Sequence, residues 1–370
     1  MTERSIVHVD PERGFSGGET QVLALARRLR DAGHGTLVAC HPGGPLAERA
    51  ASAGLEVAPL ACARSHDPAA GFRLRALVRA RRPDVVHFHT ARAFSLAPFV
   101  PRSVARVVTR RMDYPPRGAG AYVRWLYRNA DAVIAISGAV RDALVARGVD
   151  PAAIAVVPSG VEVERFRPPE GAAVAARAEL RIAPERAVIA AVGSLHARKG
   201  HAILLRALAR LASRRLRPLC LVAGAGPEGQ GLLDLARDLG LAERVHWLGR
   251  LDDVRPLLWA ADVVAMPSLA EGLGVAAIEA MAAGRAVVAS AVGGLGELVR
   301  DRVDGLLVPP ADDIALADAL ARCLEDGELR DRLGKAAVAR AGEYSVAAMA
   351  RGTEAVYERV RERRAEGAPR

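Results

Sequence analysis

The sequence predicts an α/β protein built as two Rossmann-like, doubly wound parallel-sheet domains facing a central cleft. Three observations carry that reading. The chain has 370 residues, 51% of them apolar, more than one hydrophobic core usually organises, so two domains of about 150–200 residues are expected. Short β-branched runs alternate with longer Ala/Leu/Arg segments of helical period, the pattern of parallel strands covered by helices. The alternation halts at a Pro/Gly-bearing stretch around 158–170 and then restarts.

In the first half the strands are "SIVHV", "GTLVAC", "DVVHFHT", "ARVVTR" and "DAVIAIS", each followed by a helical segment: 19–32, "PLAERAAS", 91–99, 119–129 and 138–147. After "AIAVVPSGVEVERFRPP" come "RAVIAAVGSL", "LCLVAGAG", "RVHWLGR", "DVVAMPS" and "RAVVAS". From about 311 the pattern is helical, ending in "YERVRERRAEGAPR", whose last residues are expected to fray. The expected domains are 1–168, on the acceptor side, and 169–345, on the nucleotide side, with a helix and tail at 346–370 packing back toward the first. Ligands of doubly wound sheets bind beyond the carboxyl ends of the strands, so function is sought in the loops that follow them.

Composition narrows the class. "MTERSIVHVD" carries acid within three residues and no apolar leader, and no run of 18 apolar residues occurs, so a cytoplasmic protein is expected. Cys40, Cys62, Cys220 and Cys323 are scattered without a C-x-x-C pair, which argues against disulfides and zinc. The net charge of +10 is nearly all arginine, Lys199 and Lys335 being the only lysines. Residues 1–168 hold 24 Lys/Arg against 15 Asp/Glu, whereas 169–370 hold 28 against 27. A basic first half suits an anionic acceptor or an anionic membrane surface, or it is simply a solvated arginine face. Nucleic acid is not expected, since aromatics are only 4% and no binding motif accompanies the arginines.

The informative stretch is "PSLAEGLGVAAIEAMAAG", residues 267–284. A strand ends at Pro267-Ser268, a loop holds Glu271, Gly272, Leu273 and Gly274, and a helix follows. Glycine backbone and a helix N-terminus offer N–H donors and a partial positive charge to a phosphate. Glu271 beside it, and Glu279 in the helix, are carboxylates suited to accept hydrogen bonds from sugar or ribose hydroxyls. Glu279 sits among alanines, Ile278 and Met281, a context in which an idle carboxylate is expensive. Two other patterns are weaker. "GAGPEG" (224–229) fits a dinucleotide fingerprint but follows the second strand of its domain, and Pro227 fits a helix start. His87 and His89 share a strand face and could pair on a metal, though cleft-lining or satisfied histidines account for them.

As a set, "FSGGETQVLALARRLRDAGH", "DVVHFHT", "ADAVIAISGAVRDAL", "VVPSGVEVERF", "VGSLHARKG", "VAGAGPE", "WLGRLDDV" and the E-x7-E stretch 267–312 resemble the family 4 retaining glycosyltransferases over essentially the whole chain. The resemblance implies the GT-B architecture and transfer of a sugar from a nucleotide-diphosphate donor to a hydroxyl acceptor, with no cofactor and no metal. It further implies that Glu271 binds hydroxyls of the transferred sugar, with Gly272, Leu273 and Gly274 turned to sugar and diphosphate. Glu279 would bind the ribose, Lys199 would neutralise the diphosphate leaving group, and Gly17 and Gly18 would close on the phosphates from the loop after the first strand. Arg250 and Leu251, on the way to Asp253, would lie near the base. Two departures stand out. The family's usual arginine after the glycine in "VGS" is Ser194 here, with Arg198 or His196 as the substitute. Where many members carry a histidine that contacts the transferred sugar, this chain has Arg110 and Arg111; alignment on the preceding threonine favours Arg111, with His89 a second candidate for sugar or acceptor contact. A nucleotide-sugar epimerase or phosphorylase on the same scaffold, or a non-catalytic nucleotide-sugar binder, would share these residues.

Overall fold

The computed structural model describes residues 3–112 and 120–366. The chain forms two compact units, Met1–Gly160 with Val346–Arg370, and Val161–Ser345. The division falls after Gly160 rather than after 168, because Val161 already pairs with the second unit: its N–H donates to Tyr344 O at 2.8 Å.

The first unit is a seven-stranded parallel sheet of β1 (Ser5–Asp10), β2 (Gly35–Cys40), β3 (Glu56–Pro59), β4 (Val85–Phe88), β5 (Ala105–Arg110), β6 (Ala132–Ala135) and β7 (Ile154–Val156), in the order β3-β2-β1-β4-β5-β6-β7. The order reverses between β1 and β4, whose register sets His8 opposite His87. Helix Gly17–Asp31 covers the sheet through Leu25 and Leu29. Helix Val346–Ala365 joins the same core through Met349, Ala350, Val356, Tyr357 and Val360. Its polar side is anchored as well: His34 meets Glu354 at 3.0 Å, Arg4 pairs with Glu358, and Arg364 donates to Ser103 O, Val104 O and Asp131.

The second unit is a six-stranded parallel sheet: β8 (Val188–Val192), β9 (Leu219–Ala223), β10 (Val245–Gly249), β11 (Val263–Met266), β12 (Ala286–Ser290) and β13 (Leu306–Val308), ordered β10-β9-β8-β11-β12-β13. Here the reversal lies between β8 and β11. Its core joins these strands to helices His201–Ser213 and Asp313–Glu325 through Leu204, Leu208, Leu316 and Leu320. Three strands were not expected from the sequence: β3, β7 and β13. All three are sheet-edge strands of only three or four residues, too short to show a period, and β3, "EVAP", also exposes Glu56 and Pro59.

Candidate functional site

In the second unit the loops after β8 and β11, the two strands flanking the reversal, are stitched together by backbone. Leu269 N–H donates to Arg198 O at 2.7 Å, and Gly294 N–H donates to Glu271 O at 2.9 Å. Gly200 closes the first loop at φ +68°, and a Cβ there would stand 1.9 Å from Pro267 O, so only glycine lets the loops approach this closely. Gly274, at φ +92°, caps helix Val275–Ala282 and turns the chain from the second loop into it. Leu273 and Glu271 are buried beside that turn.

Into this frame the sequence-predicted residues fall as follows. Lys199 ends a short 3-10 turn, and its Nζ donates to Glu271 Oε2, so two groups expected to act on different parts of a ligand meet each other. Ser268, which sequence reasoning passed over, is buried and donates to the same carboxylate at 3.4 Å. Arg198 is half-buried, and among the described residues nothing pairs with its guanidinium. His196 is exposed. Glu279 lies in the second turn of its helix, where burial pushes its pKa up to about 7 against a pull down from Arg165. Arg165 belongs to helix Val163–Phe166, which packs on Glu279's helix. No hydrogen bond or ion pair from a described residue meets the Glu279 carboxylate, leaving its acceptor positions open. Arg250 is exposed and Leu251 half-buried, just past β10.

"GAGPEG" is absorbed by structure. Gly224 N–H donates to Gly249 O at 2.7 Å and Glu228 N–H to Leu195 O at 3.0 Å, so the turn's backbone is spent within the unit. Gly17 and Gly18 are corrected: they are the first residues of helix Gly17–Asp31 rather than a loop. Ser16 caps that helix by accepting from Gly18 N–H, while the Glu19 carboxylate accepts from Ser16 N–H at 2.6 Å.

The first unit holds a polar stripe that sequence reasoning saw only in part. His8 and Asp10 on β1, His87 and His89 on or just past β4, and Thr109 and Arg111 on or just past β5 are pairs two residues apart, so each pair lies on one face of its strand. His87 is sealed: Nδ1 meets Tyr357 Oη and Nε2 meets Thr109 Oγ1, both at 2.7 Å. His89, expected to contact substrate, is 3% exposed and engaged at both ring nitrogens, so it is not itself presented to a ligand. Arg111 donates through Nη1 to Ser159 Oγ at 3.3 Å and through Nη2 to His89 Nδ1 at 3.4 Å. Because a guanidinium only donates, His89 Nδ1 must accept; Nε2 then carries the proton and donates to His8 Nδ1 at 3.0 Å. Burial holds all three imidazoles well below their usual pKa, and so neutral. Asp10, capping the stripe, is pushed up to about 7 by burial and then by Glu19. The signal that could have exposed the whole stripe is the i, i+2 polar pair recurring at the carboxyl ends of apolar strands.

The three imidazoles offer ligand atoms within 4.8 Å of one another, a spacing compatible with a metal. The hydrogen-bond order does not fit one. The lone pairs between His8 and His89 are committed by the chain from Arg111, both His87 nitrogens are engaged, and a cation would sit beside an arginine.

A family model described as Glycosyl transferases group 1 matches residues 175–340, and one described as Glycosyltransferase Family 4 matches residues 15–165. The D-inositol 3-phosphate glycosyltransferase of Nocardia farcinica is 42% identical over 214 residues, covering 55% of this chain and 47% of that protein. The chain spans about half the length of the curated relatives it matches. Among solved structures, HepE of Anabaena in complex with UDP-glucose has a TM-score of 0.86 at 23% identity, covering 96% of this chain and 100% of that one. Sucrose-phosphate synthase of Thermosynechococcus elongatus has a TM-score of 0.81 at 22% identity, covering 97% and 99%. These neighbours establish the two-domain parallel-sheet fold.

Proposed function

We propose, from the premise that the chain belongs to the group 1 glycosyltransferases of family 4, that it moves a sugar from a nucleotide-diphosphate donor to a hydroxyl acceptor. The observation that carries the reading is the pairing of Lys199 with Glu271 beside the glycine turn of helix Val275–Ala282, with the Glu279 carboxylate, unpaired among the described residues, further along that helix. A cation and a helix N-terminus are what a departing diphosphate needs, and carboxylates are what sugar and ribose hydroxyls need. UDP-glucose bound to the Anabaena neighbour supports a donor of this chemical type.

In the proposed step the acceptor oxygen bonds to the anomeric carbon as the bond from that carbon to the diphosphate breaks. The nucleoside diphosphate leaves with the electron pair, and a donor phosphate oxygen takes the hydroxyl proton. Attack from the face of departure gives retention, the course that the resemblance to the retaining family implies. Leaving-group charge is met by Lys199, Arg198 and backbone N–H groups, which supply the electrostatic role a metal fills elsewhere, so the reaction is read as metal-independent. Catalysis is then mainly positioning and charge stabilisation.

The acceptor is read as a cell-envelope glycan or glycolipid met at the inner face of the membrane, with the enzyme itself cytoplasmic. Support comes from the arginine excess of the first unit and from Trp125, 51% exposed, and Tyr122, one turn apart on helix Gly120–Tyr127 beside the exposed Arg124 and Arg128. No helix of the described residues is long and apolar enough to cross a membrane, so the contact would be peripheral. Sedimentation with anionic vesicles at low and high salt tests it, and no binding at either salt removes the membrane part.

The donor reading is tested by calorimetric titration of the protein and of Glu279→Ala with UDP, GDP, ADP, CMP and NAD, without metal. Tight binding of one nucleoside diphosphate, weakened in the variant, is expected. Binding of NAD alone, or of none, overturns it. Turnover of a nucleotide sugar without any alcohol acceptor would make the protein an epimerase or phosphorylase, and binding without transfer to any acceptor would make it a nucleotide-sugar binder.

A further inference from the structure

Arg111 is a cation in a place that does not repay its burial. Its Nε is sealed from solvent, and among the described residues it meets no partner, while its two terminal nitrogens reach only the neutral Ser159 Oγ and His89 Nδ1, at 3.3 and 3.4 Å. Among the described residues no carboxylate comes within ion-pair reach of it; Asp10 and Glu19 act on it only from a distance. A guanidinium taken out of water without a counter-ion is costly, and burial lowers its pKa to about 10 for that reason.

The side chain is nevertheless held in place. The imidazole chain from His8 through His89 ends in a lone pair aimed at Nη2, and Ser159 Oγ takes Nη1. Both supports are weak neutral acceptors, so a planar fork of donors is positioned but not satisfied. Arg111 also lies just past the carboxyl end of β5, where ligands of such sheets bind, and the residue as a whole is only partly buried. Phosphate and carboxylate match this fork bidentately.

We infer that Arg111 receives a phosphate or carboxylate substituent of the hydroxyl acceptor, so that the first unit selects anionic acceptors. The inference rests on the sugar-transfer reading for the word acceptor, while the anion site itself stands on the geometry of the first unit. His89 and Ser159 are then positioning residues, acting through Arg111.

The test uses the full chain, with Arg111→Gln, the conservative Arg111→Lys and Ser159→Ala, titrated with inorganic phosphate in the presence of saturating UDP. Wild type is expected to bind phosphate, Arg111→Gln to bind it about tenfold more weakly or worse, and Arg111→Lys to recover part of the loss. UDP affinity should stay unchanged in all variants, and Arg111→Gln should unfold no earlier than wild type, since it removes a buried cation that lacks a counter-ion. In steady-state kinetics with inositol 3-phosphate and inositol as paired acceptors, Arg111→Gln should raise KM for the phosphorylated member more than for the neutral one. No phosphate binding by wild type, or equal binding by Arg111→Gln, overturns the site. If Arg111→Gln instead loses UDP-glucuronate relative to UDP-glucose, the anion belongs to the donor and the acceptor assignment falls. Failure of UDP to bind any form would sink the donor reading separately, with the Arg111-dependent phosphate signal still read on its own.

Discussion

Lys199 Nζ donates to Glu271 Oε2 across two loops of the second unit, with the lysine side chain 14% and the glutamate side chain 10% exposed. The cation read as the diphosphate's partner is thus held by the carboxylate read as the sugar's partner. The pair holds the two groups at one place between the loops.

Replacing Lys199 by Gln should cut kcat about a hundredfold, the scale of one lost oxyanion donor, with a smaller change in donor affinity. Glu271→Gln should mainly raise the donor KM. Because the two residues share one contact, the stability losses of the single variants should exceed that of the double variant when summed. Urea unfolding of all four proteins measures this, and strict additivity would show that the pair carries no coupling.

Glu279 and Asp10 give the protein an inverted acid limb. Their folded pKa values, both about 7, stand above the usual 4.5 and 3.8, so the folded state holds protons that the unfolded chain has released. The stabilising protonation is fully present below about pH 4 and is lost as pH rises through 7. Melting temperature should therefore fall from pH 5 to pH 8, and Glu279→Gln and Asp10→Asn should each flatten part of the slope. A profile unchanged in both variants would show that neither carboxyl is perturbed.

Nucleotide binding should also depend on pH if the Glu279 carboxylate accepts from ribose. Acceptance by both oxygens needs the ionised form, so affinity should rise from pH 6 to pH 8, and the rise should vanish in Glu279→Gln. Calorimetry in buffers of different ionisation enthalpy would detect the accompanying proton release.

Gly200→Ala should be severe for its size. The new Cβ would lie 1.9 Å from Pro267 O on a backbone at φ +68°, so both strain and overlap oppose it. A loss of about 2 kcal/mol or more is expected, together with loss of donor binding. A substitution tolerated in both respects would mean that the two loops do not need to touch.

Tyr357→Phe tests the stripe of the first unit. Removing the hydroxyl leaves His87 Nδ1 buried without its 2.7 Å partner, at a cost of about 1–3 kcal/mol. Nucleotide affinity should not move, because the change lies in the core of the first unit.

Much of the fold was legible because parallel strands buried on both faces spell themselves as apolar runs, as in "AVVAS" and "VVAM". The edge strands β3, β7 and β13 were not, since three or four residues at a sheet edge are too few to stand out as a run. In the second unit the candidate residues lie within short local motifs, so Lys199, Glu271 and Glu279 could be picked out, but their pairing could not: Lys199 and Glu271 are 72 positions apart. The stripe of the first unit was harder still. His8, His89 and Arg111 look unrelated in sequence, and only sheet order and register bring them together. Gly17 and Gly18 misled because a glycine pair after a strand reads as a loop, while the Ser16–Glu19 capping box starts a helix there.

The helix Val346–Ala365 carries part of the core of the first unit although the whole second unit precedes it in the chain. During synthesis the sheet of the first unit emerges early and must wait for its final covering layer, while the uninterrupted second unit can finish first. At about 5–20 residues per second that interval lasts on the order of ten seconds or more, during which the face destined for Tyr357 and Val356 is bare. Such a nascent chain is a natural client for a chaperone that shields apolar surface, and its yield should depend on that protection more than on the stability of the finished protein.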